Sequence, residues 1–405
     1  MMDEERMRVL HVITGGQRRG GDVFASDLAA SLVEHGVEQQ VAALRASTDD
    51  TVPFAAPVHA LTRRGRRVPG VNIDLEAVVS LGRLIGRWHP HVVQVHGGET
   101  FKHALAADPR RDPPIVYRRI GGAPTWITRG PRRFVHAQLM RRASHIVAVS
   151  EFVRRQTIEM FGVAPSRIST IPNGVSVDRI TPDRGRSVIR TELRIAERAV
   201  VTLSLGALSW EKDPMTQVEI LSHVLPGHPQ ALHVFAGDGP LRAQVERTLR
   251  DRDLLERCRV LGVRTDVGDV LAACDILLFA SRTDGMEGMP ATVIEAGMAG
   301  IPVVGFAVAG VPEVVEDSVT GLLAQQGDTR ALSDNLSNLI EDDGRRQTMG
   351  SVARERCRTR FDIERIGSMY LTLYRQLLRR SRGSGNGRGS SIGAPASRGN
   401  EKGSG

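Results

Sequence analysis

Three shortages narrow the kind of protein that this sequence encodes. The chain has only three cysteines, Cys258, Cys274 and Cys357, and they form no C-x-x-C pair. Their wide spacing argues against a disulfide framework and a zinc site, so we expect reduced, structural thiols. No stretch approaches the about 20 apolar residues of a membrane span, and the start M-M-D-E-E-R-M-R lacks a signal-peptide core. These features predict a cytoplasmic protein.

Aromatic residues are also scarce, at 4% of the chain. Proteins that bind single-stranded nucleic acid stack bases on aromatic side chains, and the arginines of this sequence are scattered, so we expect no nucleic-acid partner. The first apolar run is not followed by G-x-G-x-x-G with a distal acid, which argues against a dehydrogenase. The sequence shows no cluster of metal ligands, so we expect no metal and no cofactor.

The length and charge of the chain are informative as well. At 405 residues the chain exceeds one ordinary core and predicts two domains of similar size. Lysine and arginine exceed aspartate and glutamate by 54 to 46, a net charge of +8. This excess would suit an anionic ligand, a nucleic acid or an acidic membrane surface.

The most informative stretch is residues 281–300, S-R-T-D-G-M-E-G-M-P-A-T-V-I-E-A-G-M-A-G. Short apolar runs flank it on both sides, which predicts a strand, a loop, a helix and a second parallel strand. Proline suits the first helical position, so we expect the helix to begin at Pro290. The free amides of Thr292 and Val293 would then face an anion beyond the carboxyl ends of the strands.

Two acids lie beside this predicted anion site, Glu287 in the loop and Glu295 in the helix. Carboxylates repel a phosphate but accept hydrogen bonds from hydroxyl groups, so the ligand that fits both features is a nucleotide-sugar. The alternative is an ordinary solvated helix that carries two surface acids.

The spacing E-x7-E, with the runs E-G-M-P-A-T-V-I-E-A, G-I-P-V-V-G-F-A-V-A-G-V-P-E-V-V and T-G-L-L, resembles the retaining GT-B glycosyltransferases of the GT4 group. The resemblance extends through most of residues 8–375. It implies an α/β fold with two doubly wound, Rossmann-like domains that face each other across a cleft.

We divide the chain accordingly. The expected parts are an N-terminal acceptor-binding domain (1–173), a hinge and linker (174–198), a C-terminal nucleotide-sugar-binding domain (199–362), a crossover helix (363–380) and a disordered basic Gly/Ser tail (381–405).

On the donor side, the resemblance implies that Lys212 clamps the departing diphosphate, that Glu287 contacts the sugar hydroxyls and that Glu295 binds the ribose. Lys212 could instead be a solvated loop lysine. The arginine that the family pattern places nearby is absent, because Ala207 occupies its position, and Arg282 is a possible substitute. Other donor contacts are expected at Gly237, Gly288 and Met289, and at the backbone of Val263 and Arg264, which would hold the base of a donor that we expect to be a UDP- or GDP-sugar rather than an ADP-sugar.

The resemblance places Gly21 among the donor contacts, and the acceptor-side candidates are His96, Arg118 and Arg119. Gly21 belongs to a glycine loop that either faces the ligands or forms a tight turn, and His96 either contacts the ligand or orients its loop. Many family members carry a histidine just after the strand near residue 118, and this chain has arginines there. They could bind an anionic acceptor bidentately or face a neighbouring acid.

The predicted function is therefore transfer of a sugar, with retention, to a sugar, lipid-linked or small-molecule acceptor. The rival hypotheses are a nucleotide-sugar epimerase or hydrolase on the same fold and a binding protein that has lost transfer. A helix at 129–143 carries arginines beside a Phe, Val, Leu and Met side. This helix permits weak peripheral contact with the inner face of the membrane, or packs its apolar side on its own domain.

Overall fold

The structure is a computed structural model, and it describes residues 6–16, 20–45, 51–62, 67–68, 72–123, 127 and 130–385. At residues 67–68 and 381–385 only the backbone is described. Residues 386–405, which contain most of the predicted tail, lie outside the described residues.

The first sheet is parallel. Its central strands are buried and mostly apolar, as expected for strands covered on both faces. Its strands are β1 (Arg8–Ile13), β2 (Glu38–Ala43), β3 (Val58–Ala60), β6 (Val92–His96), β7 (Ile115–Arg119), β8 (His145–Ala148) and β9 (Ile168–Thr170). They lie in the order β3-β2-β1-β6-β7-β8-β9. A separate antiparallel pair is formed by β4 (Arg67–Val68) and β5 (Ile73–Asp74).

The second sheet is also parallel, with the order β12-β11-β10-β13-β14-β15. Its strands are β10 (Val200–Leu205), β11 (Ala231–Ala236), β12 (Cys258–Val260), β13 (Ile276–Phe279), β14 (Val303–Phe306) and β15 (Gly321–Ala324). Strand β12 ends at Val260, so Val263 and Arg264 lie in the segment that follows it.

Helices connect the strands of each sheet and cover both faces. The half with the first sheet contains α1 (Gly20–Glu34), α2 (Leu75–Trp88), α3 (Gly98–Ala107), α4 (Gly130–Met140) and α5 (Glu151–Phe161). The segment between the sheets contains α6 (Val177–Ile180) and α7 (Arg186–Glu192). The remaining helices are α8 (Pro214–Val224), α9 (Arg242–Asp251), α10 (Val267–Ala273), α11 (Ala291–Ala299), α12 (Val311–Val314), α13 (Thr329–Glu341), α14 (Asp343–Phe361) and α15 (Ile363–Gly385).

Helix α15 returns from the second sheet to the first. Its buried Ile366, Tyr370 and Tyr374 share a core with Phe24 and Leu28 of α1. The helix continues to Gly385, beyond the residue 380 expected from the sequence. Its apolar face, spaced at three and four residues, buries against the first sheet, so this helix ties the two ends of the chain together.

The order of each sheet reverses at one point, between β1 and β6 in the first sheet and between β10 and β13 in the second. The loops on either side of such a reversal diverge and leave a crevice beyond the carboxyl ends of the strands, where ligands bind in open α/β sheets. The loops after β10 and β13 contain Lys212 and Glu287. The fold thus brings these two residues to the same crevice.

Candidate active site

Lys212 and Glu287 form an ion pair at the reversal point of the second sheet. Lys212 lies in a 3-10 turn, Trp210–Lys212, and its Nζ contacts Oε1 of Glu287. The Oγ of Ser281 lies 3.4 Å from the same carboxylate oxygen. The two charged side chains are 27% and 14% exposed, so both are partly withdrawn from water while remaining accessible. This pair provides a positive and a negative group within one small volume.

The loop that carries Glu287 packs directly on the turn that carries Lys212. The amide of Arg282 donates to the carbonyl of Glu211 at 3.0 Å. The Arg282 guanidinium lies 4.7 Å from the centroid of the Trp210 ring and bonds Asp284 at 3.0 Å. Arg282, the possible substitute for the missing arginine, is therefore engaged in holding the loop.

Helix α11 begins one residue later than predicted. Pro290 is the N-cap, with φ −73° and ψ 120°, and Ala291 is the first helical residue. The Val293 amide donates to the carbonyl of Pro290 at 3.2 Å, so it is not free to meet an anion as expected. The Thr292 hydroxyl is buried without a hydrogen-bond partner. The predicted site at this helix start is therefore smaller than the sequence suggested.

Glu295 is buried and already paired, which the sequence did not predict. Its Oε1 lies 2.8 Å from Nη2 of Arg179, and Nη1 of the same arginine lies 3.1 Å from Oδ2 of Asp27. Burial raises the pKa of Asp27, and Glu295 adds to the shift while Arg179 opposes it. One arginine from the connecting segment thus joins a carboxylate of α1 to a carboxylate of α11.

The expected base-binding residues lie together beyond β11 and β12. Gly237 pairs with Gly262 in an isolated antiparallel bridge, and a Cβ on Gly237 would collide with the carbonyl of Gly206. Val263 is 59% exposed. The Arg264 side chain bonds Asp266 at 2.8 Å and Glu192 at 2.9 Å, so its backbone, not its guanidinium, is what remains for a ligand.

Gly288 and Met289 contact the first half of the chain. The Ser150 hydroxyl donates to the carbonyl of Gly288 at 3.0 Å, and the Asn173 amide nitrogen donates to the carbonyl of Met289 at 2.6 Å. A Cβ on Gly288 would collide with the carbonyl of Ile120, so the two backbones approach too closely for any side chain there. These residues shape the loop through their backbone.

A further polar contact between the halves was also missed by sequence reasoning. The carboxylate of Glu313, on α12, accepts hydrogen bonds from the amides of Glu151 and Phe152, both at 2.9 Å. These amides begin α5, where a negative charge is favoured. The only signals were the runs V-S-E-F-V-R-R and G-V-P-E-V-V, and neither run indicates that the two segments meet.

On the acceptor side, His96 does not reach the crevice. It is 3% exposed, and its Nε2 lies 3.2 Å from Nδ1 of His11. The Gln39 amide nitrogen donates to a backbone carbonyl, so its oxygen accepts from Nε2 of His11, which leaves Nδ1 of His11 to accept from His96. Burial lowers the pKa of His11 to about 4 and that of His96 well below its ordinary value.

The expectation that Arg118 and Arg119 meet an acceptor has to be corrected. They are 1% and 4% exposed and lie on opposite faces of β7, one over the Phe24 ring and the other 5.2 Å from the centroid of Phe161. Burial lowers the pKa of Arg118 to about 10, so it keeps its charge at neutral pH. Both belong to the interior because they are the last residues of a strand that is covered on both faces.

Gly21 is the remaining candidate, expected among the donor contacts. It lies in the first turn of α1, and a Cβ added there would be 3.7 Å from Cδ1 of Ile120, an ordinary contact. Residues 17–19, which contain the arginines of the glycine loop, lie outside the described residues. In the described ranges, no group of three His, Cys, Asp or Glu side chains is arranged to hold a metal ion.

Comparison with known proteins agrees with this architecture. Residues 18–179 match the model for Glycosyltransferase Family 4, and residues 185–356 match the model for Glycosyl transferases group 1. The chain belongs to the glycosyltransferases that these two models describe. The two matches meet at the segment that contains α6 and α7, between the two sheets.

Curated relatives of this glycosyltransferase are identical to it at about a quarter of the positions in the aligned parts. The N-acetyl-alpha-D-glucosaminyl L-malate synthase of Bacillus anthracis is 28% identical over 235 residues, which are 58% of this chain and 60% of the relative. The UDP-Gal:alpha-D-GlcNAc-diphosphoundecaprenol alpha-1,3-galactosyltransferase of Escherichia coli is 24% identical over 66% of this chain and 71% of its own. The match to the first relative thus spans less than two thirds of that protein.

Solved structures confirm the GT-B fold. HepE of Anabaena, in complex with UDP and glucose, superimposes with a TM-score of 0.77 at 21% identity and covers 91% of this chain and 99% of its own. Sucrose-phosphate synthase of Thermosynechococcus elongatus gives 0.78 at 17% identity, with 93% and 100% covered. Among the helices that the structure describes, none is long and apolar enough to cross a membrane.

Proposed function

We propose that the protein transfers a sugar from a nucleotide-sugar donor to an acceptor with retention of configuration at the anomeric carbon. The observation that carries the proposal is the pair of Lys212 and Glu287 at the reversal point of the second sheet. In such a transfer, negative charge grows on the departing diphosphate while positive charge grows on the sugar ring. A cation and an anion placed together complement both changes.

Each donor-side residue then has a role. Lys212 stabilises the diphosphate as it leaves, and Glu287 accepts hydrogen bonds from the sugar hydroxyls and holds the ring in position. Glu295 binds the ribose hydroxyls. Its carboxylate has acceptor capacity beyond the bond to Arg179, because two oxygens offer about four lone pairs. The chemistry runs on protein groups, with no metal or cofactor.

The half with the second sheet holds the donor, and the half with the first sheet holds the acceptor. The donor is a UDP- or GDP-sugar, whose base meets the backbone near Val263 and Arg264. UDP in the complexes of HepE supports the first of these bases, and GDP-mannose in the names of other relatives supports the second. The acceptor is a sugar, a lipid-linked sugar or a small molecule, as the names of the relatives suggest.

We also propose a weak contact with an anionic membrane surface through α4. Phe134 is 65% exposed and Val135 is 52% exposed, whereas Met140 at the other end of the helix is buried. Arg132 and Arg133 are exposed beside them. The expected packing of the apolar side on its own domain thus holds only for the last turn. Exposed apolar residues flanked by arginines suit the boundary of an acidic lipid layer.

A thermal-shift panel tests the donor assignment. UDP, GDP, ADP and their common sugars are added to the wild type, to Lys212→Ala and to Lys102→Ala, which removes a lysine of α3. Stabilisation by one nucleotide family that is lost only in Lys212→Ala supports the proposal. Failure of every nucleotide to shift the wild type contradicts it. Release of free sugar without acceptor would favour a hydrolase, and isomerised sugar would favour an epimerase.

A further inference from the structure

A short chain of hydrogen bonds runs from the first sheet to the loop that carries Glu287. Nη2 of Arg118 donates to Oδ1 of Asn173 at 2.6 Å, and Nδ2 of Asn173 donates to the carbonyl of Met289 at 2.6 Å. Asn173 lies just after β9, in the connection between the two sheets. The second bond joins residues that are 116 positions apart in the sequence.

The partners of Asn173 permit only one orientation of its side-chain amide. A guanidinium only donates and a backbone carbonyl only accepts, so the oxygen must face Arg118 and the nitrogen must face Met289. Arg118 therefore decides which way Asn173 presents its donor. Without the guanidinium, the amide could turn its oxygen toward the Met289 carbonyl and lose the bond.

Arg118 is held rigidly enough to act as a fixed point. It is 1% exposed, and its guanidinium carbon lies 3.7 Å from the centroid of the Phe24 ring. Phe24 is itself 3% exposed and packs between His96 and Tyr370, with ring centroids 6.2 and 6.0 Å away. A planar cation stacked on a buried ring has little freedom to move.

The fixed position of Arg118 affects the donor loop at Met289. It follows Glu287 by two residues and immediately precedes Pro290, the N-cap of α11. Its carbonyl is the last one before the N-cap, so its placement sets both the end of the loop and the start of the helix. A displacement of about 1 Å in such a loop is enough to lower a rate by about hundredfold.

We propose that Arg118 is a positioning residue for the donor loop: through Asn173 it holds the carbonyl of Met289 and keeps Glu287 against Lys212. This inference rests on the proposed function for its effect on turnover. The link itself is independent of any substrate. Arg118 is buried, and its influence on the loop passes through Asn173.

Arg119 supplies a matched control. It is adjacent on the same strand, carries the same charge and is 4% exposed. It faces the other side of the sheet, where its guanidinium lies near Phe161, and in the described residues it makes no hydrogen bond to the connection between the sheets. A general loss of packing or of buried charge would affect both arginines alike, whereas loss of the link would affect Arg118 alone.

Hydrogen–deuterium exchange of the full chain without ligand tests the link. In Arg118→Met, amide exchange in the peptide 281–293 should rise at least about tenfold, as an opening easier by about 1.4 kcal/mol predicts, and Arg119→Met should leave it unchanged. Asn173→Ala should give the same rise, and the double variant Arg118→Met/Asn173→Ala no further rise. Arg118→Lys keeps a donor and should restore part of the protection.

Two further variants and readouts keep the test decisive. Asn173→Asp retains the bond to Arg118 but opposes a carboxylate oxygen to the Met289 carbonyl, so it should loosen the loop even if Arg118→Met does not fold. Binding of UDP or GDP, whichever stabilises the wild type in the thermal-shift panel, should weaken about tenfold in Arg118→Met and not in Arg119→Met when it is measured by calorimetry. Equal exchange in the two arginine variants, or additive effects in the double variant, would overturn the proposal. If neither UDP nor GDP binds the wild type, the proposed function is in question, while the exchange result still decides the link.

Discussion

The two sheets have similar folds, but the charged residues at and beyond the carboxyl ends of their strands differ in exposure to solvent. After β10 and β13, Lys212 and Glu287 lie several residues beyond the ends of their strands and remain accessible. In the first sheet, His96 and Arg119 are the last residues of β6 and β7, and both are buried. A residue within a strand covered on both faces is interior whatever its charge. A side chain can meet a ligand when its residue lies several positions beyond the strand end, and not when its residue is the last of the strand.

The largest effect that would sharpen this comparison is expected at Glu287. Glu287→Gln keeps the size and an acceptor oxygen but removes the charge opposite Lys212. Turnover should fall about 10²- to 10³-fold, because groups aligned with developing charge contribute about that much. The measurement is release of nucleoside diphosphate from the donor that the thermal-shift panel identifies.

Glu219→Gln, on the exposed side of α8, is the control for this substitution and should keep full turnover. A Glu287→Gln variant with near wild-type turnover would show that the pair in the second sheet is structural. The difference between the two sheets would then disappear, because neither would present a working charged residue to the crevice.

Arg179 pairs with two carboxylates, Glu295 of α11 and Asp27 of α1, which allows the half with the second sheet to be compared with the half with the first. Glu295→Gln should weaken nucleotide binding about tenfold, equivalent to about 1.4 kcal/mol. Asp27→Asn, which removes the partner of the same arginine in α1, should leave binding within about twofold, since Asp27 has no part in the donor site. Isothermal titration with the identified nucleotide measures both. Equal losses in both variants would mean that Arg179, and not Glu295, carries the effect.

The sequence predicted what local patterns encode and missed what long-range contacts decide. The strands, the E-x7-E unit and the positions of Lys212 and Glu287 follow from apolar periodicity and from the family motif. The bonds from Ser150 to Gly288 and from Asn173 to Met289 join residues 138 and 116 positions apart. Each ends on a backbone carbonyl, which every residue has, so no residue type at the receiving position marks it.

The sequence also did not predict which charged side chains are buried. The run V-Y-R-R-I ends a strand with two arginines, and a cation at a strand end ordinarily suggests a ligand. The structure instead stacks Arg118 on Phe24 of α1, a contact between elements that no pattern relates. The start of α11 was misplaced by one residue, because Pro290 has the extended ψ of 120° of an N-cap, whereas proline is favoured at the first helical position.

Acid should destabilise the first sheet more than the second. Burial lowers the pKa of His11 and His145 to about 4, and that of His233, in the second sheet, to about 3. These histidines bind a proton more readily when unfolded, so their contribution to stability is complete above pH 6.5. It is lost as the pH falls from 6.5 toward 4 for His11 and His145, and toward 3 for His233. The slope is about 1.4 kcal/mol per pH unit for each such group.

Thermal unfolding at pH 7, 5.5 and 4.5 measures this loss, and amide exchange in β1 and β11 locates it. In His11→Gln the fall in melting temperature between pH 7 and 4.5 should be smaller than in the wild type. His233→Gln serves as the comparison in the second sheet. A melting temperature that is independent of pH in this range would contradict the assignment of neutral, buried imidazoles.

The smallest effect is expected at α4, where the first half of the chain has exposed apolar residues. Replacing Phe134 and Val135 by serine should reduce sedimentation with phosphatidylglycerol vesicles severalfold, because each removed methylene costs about 0.8 kcal/mol of transfer into an apolar layer. Val188→Ser on α7 is the matched control, since Val188 and Val135 are both 52% exposed. Phosphatidylcholine vesicles remove the charge that would attract Arg132 and Arg133, and binding there should be weak for every variant.

If the serine variant and Val188→Ser sediment alike, α4 is not a membrane contact, and the exposed residues of the first half would need a role at the acceptor or at another protein. If only the serine variant loses binding, the two halves differ in surface as well as in site: the second sheet holds the charged pair at the donor, and the first holds the contact with the layer from which a lipid-linked acceptor would come.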